Sequence, residues 1–193
     1  GRLSPIESFT RKAKDVMVGL GYQEMIYNYL GSGKDYIERM NVPADDVIRI
    51  SNPMTENFEY VRPSILPGLL QSEAVSSKAP YPHRIFEAGK VAFLDGARNY
   101  GTSTRQRMGF LCSHQAADYN ELAGVVSALL YYLGEEYAVD DSDDPRFLPG
   151  RQARVLVRGN ALGVFGELHP AVLENWGITM PCVACELDLD SLL

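Results

Sequence analysis

The sequence is poor in the cationic groups that hold polyphosphate. Only 18 of its 193 residues are Lys or Arg, against 25 Asp or Glu, so the net charge is −7 and the pI lies near 5.0. A surface that wraps nucleic-acid phosphates is normally basic. Nucleic-acid binding by this chain is therefore expected to be weak or confined to a patch, with no role on DNA. Beyond Arg158 neither Lys nor Arg occurs through Leu193. Three cysteines, an odd number, make no disulfide framework. No apolar run approaches the ~20 residues of a membrane-spanning helix. The chain opens Gly1-Arg2 with no initiator Met and no signal-peptide pattern. These absences describe a piece of a longer cytoplasmic protein. Hydrophobic content of 46% with 22% charged residues suits a globular chain with a sizeable core.

Helix and strand periods are well marked. Ser4-Pro5-Ile6-Glu7 is a capping box with Pro at the first helical position. Ile6, Phe9, Ala13, Val16, Met17 and Leu20 then keep the three-and-four spacing of one helix face, and Gly21 stops it. Tyr22 to Leu30, rich in Tyr and Ile, reads as a strand. Lys34 to Met40 reads as a short helix, Val47 to Ser51 as a strand, and Phe58 to Arg62 as extended. Ile65 to Lys78 reads as a helix entered through Pro63 and Pro67. Arg84 to Leu94 and Arg105 to Ser113 read as strands about a turn. Asp118 and Glu121 open a helix whose apolar residues run from Leu122 to Leu133, stopped by Gly134. Tyr137 to Val139 is a short strand. Gln152 to Arg158 alternates and is turned back at Gly159-Asn160 into Ala161 to Phe165. His169-Pro170 opens a short helix, and Pro181 to Asp188 is a last strand. Hairpins joined to scattered helices predict an α+β fold with one mainly antiparallel sheet flanked by helices.

Few residue groups suggest chemistry. Cys182 and Cys185 form a CxxC pair, compatible with a redox or metal module. On a strand, however, positions three apart face opposite sides, which makes them two packed thiols. Cys112 and His114 offer two ligands on one face, too few for zinc. His83 is read as a strand-entry residue. Asp140 to Asp144 lacks the spaced ligands of a calcium loop and is read as solvated. Glu167 and His169 would share a face if extended and could act as acid and base. No nucleophile completes that site, so His169 is read as the cap of the helix opened by Pro170, and Glu167 as the partner of a buried Arg.

Three runs carry a family resemblance: Ile50 through Leu70, with Asn52, Pro53 and Arg62; Arg84 to Val91, with Phe86, Glu87 and Gly89; and Val164 to Leu173, with Gly166, Glu167, His169 and Pro170. Together they resemble the β-chain of phenylalanyl-tRNA synthetase, in the form found in archaea and the eukaryotic cytosol, over essentially all of 1–193. One departure is Ala123, where relatives often carry Lys.

The resemblance implies a single class II aminoacyl-tRNA synthetase-like domain, the C-terminal catalytic-like domain of the β-chain. In that family the α-chain performs the chemistry, two αβ pairs form an (αβ)₂ tetramer, and the whole enzyme charges tRNA(Phe) using ATP and magnesium. The first helix and following strand resemble the first class II motif, which builds subunit interfaces. Phe9, Val16, Met17, Leu20, Met25, Tyr27 and Tyr29 are thus expected to meet the α-chain. Class II chemistry needs an Arg-x-Glu pair and a late Arg to steady the triphosphate. Here Arg84 and Glu87 are three apart, which sends them to opposite faces of a strand, and the late Arg is missing. The domain is therefore expected to be non-catalytic, with no cofactor or metal of its own. The alternatives are a stand-alone ATP-dependent ligase of class II type and the CxxC redox or metal module.

Overall fold

The computed structural model describes all of residues 1–193. Helix α1 (Pro5–Gly19) starts at Ser4, whose Oγ accepts from the Glu7 N–H at 3.3 Å. The chain then forms β1 (Gln23–Glu24), β2 (Leu30–Gly31), a five-residue π-helix (Lys34–Glu38) and β3 (Tyr60–Val61). Helix α2 (Leu66–Val75) leads into the long hairpin of β4 (His83–Leu94) and β5 (Thr102–Ser113). Helix α3 (Tyr119–Leu133) precedes β6 (Tyr137–Asp140), β7 (Phe147–Val157) and β8 (Asn160–Leu168). Helix α4 (Pro170–Trp176) and β9 (Cys182–Asp188) follow, and a short 3₁₀ turn closes the chain.

Seven strands make one sheet in the order β1-β4-β5-β9-β8-β7-β6, while β2 and β3 pair separately. Only the β1–β4 pairing is parallel. Each face of the sheet carries an apolar core. Phe86, Met108, Phe110, Cys112, Val155, Val183, Cys185 and Leu187 face α1 and α3, whose Ala13, Met17, Leu122, Val126 and Leu129 complete the larger core. Val91, Leu111, Ala184 and Cys182 face α2 and α4, where Leu66, Leu69, Leu70, Val172 and Trp176 complete the smaller one. The strand alternation of period two is what divides one sheet between two cores. Gly109 shows how tightly α2 is seated: a Cβ there would lie 2.7 Å from the Ile65 side chain.

Four expectations need correction. Tyr22 to Leu30 is not one strand. After Gln23 and Glu24 pair with Ile85 and Phe86, the Met25 N–H reaches Phe86 O at 2.7 Å, and the chain then leaves the sheet to lie along α2. Val47 to Ser51 contributes only the bridge of Arg49 to Tyr60. The expected Lys34–Met40 helix is the π-helix. The β7–β8 turn sits one residue earlier than expected: Val157 pairs with Asn160, so Arg158 and Gly159 form the loop with φ of 52° and 79°. Positive φ at both loop residues is the turn whose twist matches a hairpin.

Helix α3 is capped by Asp118, whose Oδ1 accepts from the Glu121 N–H at 2.8 Å, and by Gly134 at φ 86°. Asp118→Ala removes this acceptor and is expected to cost about 1 kcal/mol. Asp118→Asn should restore most of that loss, as read from urea midpoints.

Candidate functional site

On the α2/α4 face two carboxylates are buried against arginines. Arg62, just after β3, is 2% exposed. Its Nη1 donates to both oxygens of Glu87 at 2.9 Å, and its Nε donates to Lys90 O at 2.8 Å. The guanidinium stacks 4.5 Å from the Tyr29 ring. Gly89 is required beneath it, because a Cβ there would fall on the guanidinium. Three residues singled out by sequence, Arg62, Glu87 and Gly89, thus form one contact. Burial pushes the Glu87 carboxyl above its ordinary range, and Arg62 offsets this only in part.

The second centre has a fainter signal in the sequence, a lone Glu inside an otherwise apolar strand. This is Glu186 on β9, 3% exposed. It accepts from the Ile65 N–H at 2.6 Å and Ser64 Oγ at 3.1 Å, and faces Arg146 at 3.1 Å and Arg107 at 3.4 Å. Arg146 in turn grips Asp144, with Nη2 to Oδ2 at 2.6 Å and Nε to Oδ1 at 2.9 Å. Burial alone would raise the Glu186 carboxyl, but Arg107, Arg146 and the Ile65 amide together hold it below the usual range. The acidic run read as solvated therefore contributes at least Asp144 to the interior.

The remaining candidates resolve individually. Arg84 lies on the other face from Glu87 and donates to Glu121 at 3.1 Å, as the strand parity requires. Glu167 does not meet an arginine; its Oε1 accepts from the Tyr119 N–H at 3.1 Å, at the start of α3. His169 caps α4, its Nδ1 accepting from the Ala171 N–H at 3.1 Å, with Pro170 at the first helical position. Phe86 is fully buried, while Asn52 and Pro53 lie in an exposed bend. Gly166 lets β8 approach β7, since a Cβ would lie 2.5 Å from Arg151 O. His83 opens β4, with Nδ1 2.8 Å from Glu73 Oε2.

Cys182 and Cys185 lie in different cores, on opposite faces of β9, so the pair cannot converge on a metal or close a disulfide. Burial pushes the Cys182 thiol up to about 12 and Cys185 well above its ordinary value, which suppresses the reactive thiolate. Cys112, His114 and Glu121 bring three ligand atoms within 4.8 Å of one another. Here these atoms are engaged in hydrogen bonds. His114 Nδ1 accepts from the Ala116 N–H, which leaves the proton on Nε2, and Nε2 donates to Glu121 at 2.6 Å. The Arg84 guanidinium already occupies the other carboxylate oxygen.

Of the residues expected at a subunit interface, Met17 is wholly buried in the larger core, and Phe9, Val16 and Leu20 pack half-buried against it. Met25 and Tyr27 pack half-buried on the smaller core. Tyr29 is 52% exposed, beside Ile26 at 85%. The apolar stripe of α1 is therefore turned largely to the chain's own core, while Ile26 and Tyr29 in the segment after β1 are exposed.

The whole arrangement is an α+β sheet sandwiched by helices, with its interior arginines tied to carboxylates. Comparison with known proteins agrees with the resemblance carried by the motifs. The family described as phenylalanyl tRNA synthetase beta chain CLM domain matches residues 1–189, and the chain belongs to it. Phenylalanine–tRNA ligase β subunits from Treponema pallidum, Borreliella burgdorferi and Borrelia recurrentis are 54%, 48% and 47% identical over all of the chain. It spans about a third of their length: 32% of the Treponema protein and 34% of the other two. These relatives are bacterial, so the archaeal or eukaryotic cytosolic type finds no support in them, and neither does a C-terminal placement.

Glu186 makes a pH test possible. A carboxyl whose folded pKa is depressed contributes stability above its unfolded value of about 4, and that contribution is lost as pH falls through the folded value. Glu186→Gln is expected to lower stability by about 3 kcal/mol at neutral pH, because Arg107 and Arg146 lose their shared counter-charge. The same variant should lose less further stability than wild type as pH falls below about 4. Urea unfolding at a series of pH values measures both; an undiminished acid slope in the variant would place that titration elsewhere.

Proposed function

We propose that this chain is a non-catalytic, architectural domain of the β subunit of phenylalanine–tRNA ligase, of class II synthetase-like fold over 1–193. It holds the active α-chain in shape within an (αβ)₂ assembly in the cytoplasm. The whole enzyme joins phenylalanine to tRNA(Phe) with ATP and magnesium, and this domain binds neither. One observation carries the reading. The interior arginines Arg62, Arg107 and Arg146 are engaged by Glu87, Glu186 and Asp144. Drawing Arg62 onto a triphosphate would strip the buried Glu87 of its one arginine, at a cost of about 3–5 kcal/mol, while Arg107 and Arg146 share Glu186. The absence of Lys and Arg after Arg158 supports the same view.

The α-chain contact is assigned to the segment after β1 rather than to Met17. Tyr29 and Ile26 are exposed, and Met25 and Tyr27 fix that segment to α2 through the hydrogen bond of Tyr27 Oη to Ser72 at 2.7 Å. Phe9, Val16 and Leu20 serve the interface indirectly, by seating α1.

Two measurements test this. The purified chain should give no phenylalanine-dependent ATP–pyrophosphate exchange, and measurable exchange would overturn the architectural role. Ile26→Asp with Tyr29→Asp should leave the chain folded but reduce co-purification with the α-chain at least tenfold, as expected when anchors at the centre of an interface cost above ~1.4 kcal/mol. Undiminished co-purification would move the contact elsewhere.

A further inference from the structure

Sequence spacing offers Cys112 and His114 as two ligands on one face, and the fold supplies a third. Cys112 lies near the end of β5 with its thiol toward the larger core, and His114 follows directly after the strand. Residues two apart on an extended chain share a face. Glu121 stands in the first turn of α3, where the Asp118 cap fixes the helix start. From there its carboxylate reaches back over the end of β5. Cys112 Sγ donates to Glu121 Oε1 at 3.7 Å, and His114 Nε2 donates to Oε2 at 2.6 Å. One atom from each of the three residues thus falls inside a cluster 4.8 Å across.

A tetrahedral zinc holds sulfur at about 2.3 Å and nitrogen or oxygen at about 2.0–2.2 Å, which places its ligand atoms roughly 3.3–3.7 Å apart. The three groups therefore close on one ion through small side-chain shifts. Two hydrogens now bridge the cluster, one on the thiol and one on Nε2, and a metal takes the place of both. The thiol proton leaves to solvent, and the ring hydrogen passes to Nδ1. Nδ1 then no longer accepts from the Ala116 N–H at 3.2 Å, a change absorbed by the exposed turn at Gln115-Ala116. Burial and then Glu121 push the Cys112 thiol up to about 11, so it keeps its proton until a metal competes for the sulfur. Arg84, 3.1 Å from Glu121, is the competing cation; at 38% exposure its side chain has a path to water. The side chains of His114 and Glu121 are partly exposed, which leaves a route of entry and room for a water as fourth ligand.

We propose that Cys112, His114 and Glu121 form a binding site for a zinc ion, with Sγ, Nε2 and one carboxylate oxygen as ligands. Thiolate and imidazole are donors that suit zinc, whereas magnesium takes oxygen donors. The ion pins the end of β5 to the start of α3, two elements otherwise joined by a short turn. The inference concerns the chain alone and is independent of the subunit reading.

Cobalt(II) in place of zinc reports its ligands by absorption. Titration of the reduced chain with cobalt should give a thiolate-to-metal charge-transfer band that saturates at a single ion per chain, and added zinc should abolish it. Cys112→Ser should remove the band, although Cys182 and Cys185 remain. His114→Gln, at a partly exposed position, should bind zinc at least tenfold more weakly in competition with a chromophoric chelator. In the unaltered chain the Ala116 amide resonance should move with the same midpoint as the band. Absence of the band, a band that survives Cys112→Ser, or unweakened binding by His114→Gln would each overturn the proposal. If the buried Cys112→Ser does not fold, the band of the unaltered chain and the affinity of His114→Gln decide it.

Discussion

The structure depends on charge neutralisation beneath one sheet face. Residues 25–65 contain little regular structure, only two two-residue strands, one π-turn and one 3₁₀ turn. Such a segment cannot satisfy its own backbone, so something fixed must hold it. Glu87 on β4 and Glu186 on β9 provide that anchor. Glu87 takes Arg62 at the end of the segment, and Glu186 takes Ser64 Oγ and the Ile65 N–H at the entrance to α2. Both ties cross from sheet to excursion, and together they set where α2 begins and how it lies on Leu111 and Gly109.

The same economy bears on function. A catalytic synthetase fold must leave cations free to meet a substrate, whereas here each interior cation has a carboxylate at hydrogen-bond distance. Removing one partner leaves an uncompensated buried charge, which makes the present pairing hard to reverse. The polar interior of this fold is therefore part of its scaffold. That supports an architectural domain within a larger ligase, a role for which stability of shape matters more than reactive groups.

Local chemistry was legible wherever a residue's partner lies close in sequence. The Ser4 and Asp118 caps, the His169 cap before Pro170 and the β4–β5 and β7–β8 hairpins all follow from neighbours a few positions apart. Parity along a strand was equally legible: it separates Arg84 from Glu87, and Cys182 from Cys185. The failures share one cause. Tyr22 to Leu30 has strand composition, but whether it pairs depends on how far β4 extends alongside it. Glu167 looked like the partner of a buried arginine, yet the N–H of Tyr119, brought over by α3, reaches it first. The apolar stripe of α1, expected to meet the α-chain, is covered in part by α3 and by strands far along the chain, which bury Met17.

By itself, then, the amino-acid order determined the long helices and hairpins, their caps, the faces of each strand and the family, because these rest on backbone geometry and near neighbours. The tertiary structure alone decided which carboxylate meets which arginine, and that Met17 is interior while Tyr29 is exposed. Those outcomes depend on groups distant in sequence meeting in a medium of low dielectric, where only the final packing sets which charge is nearest.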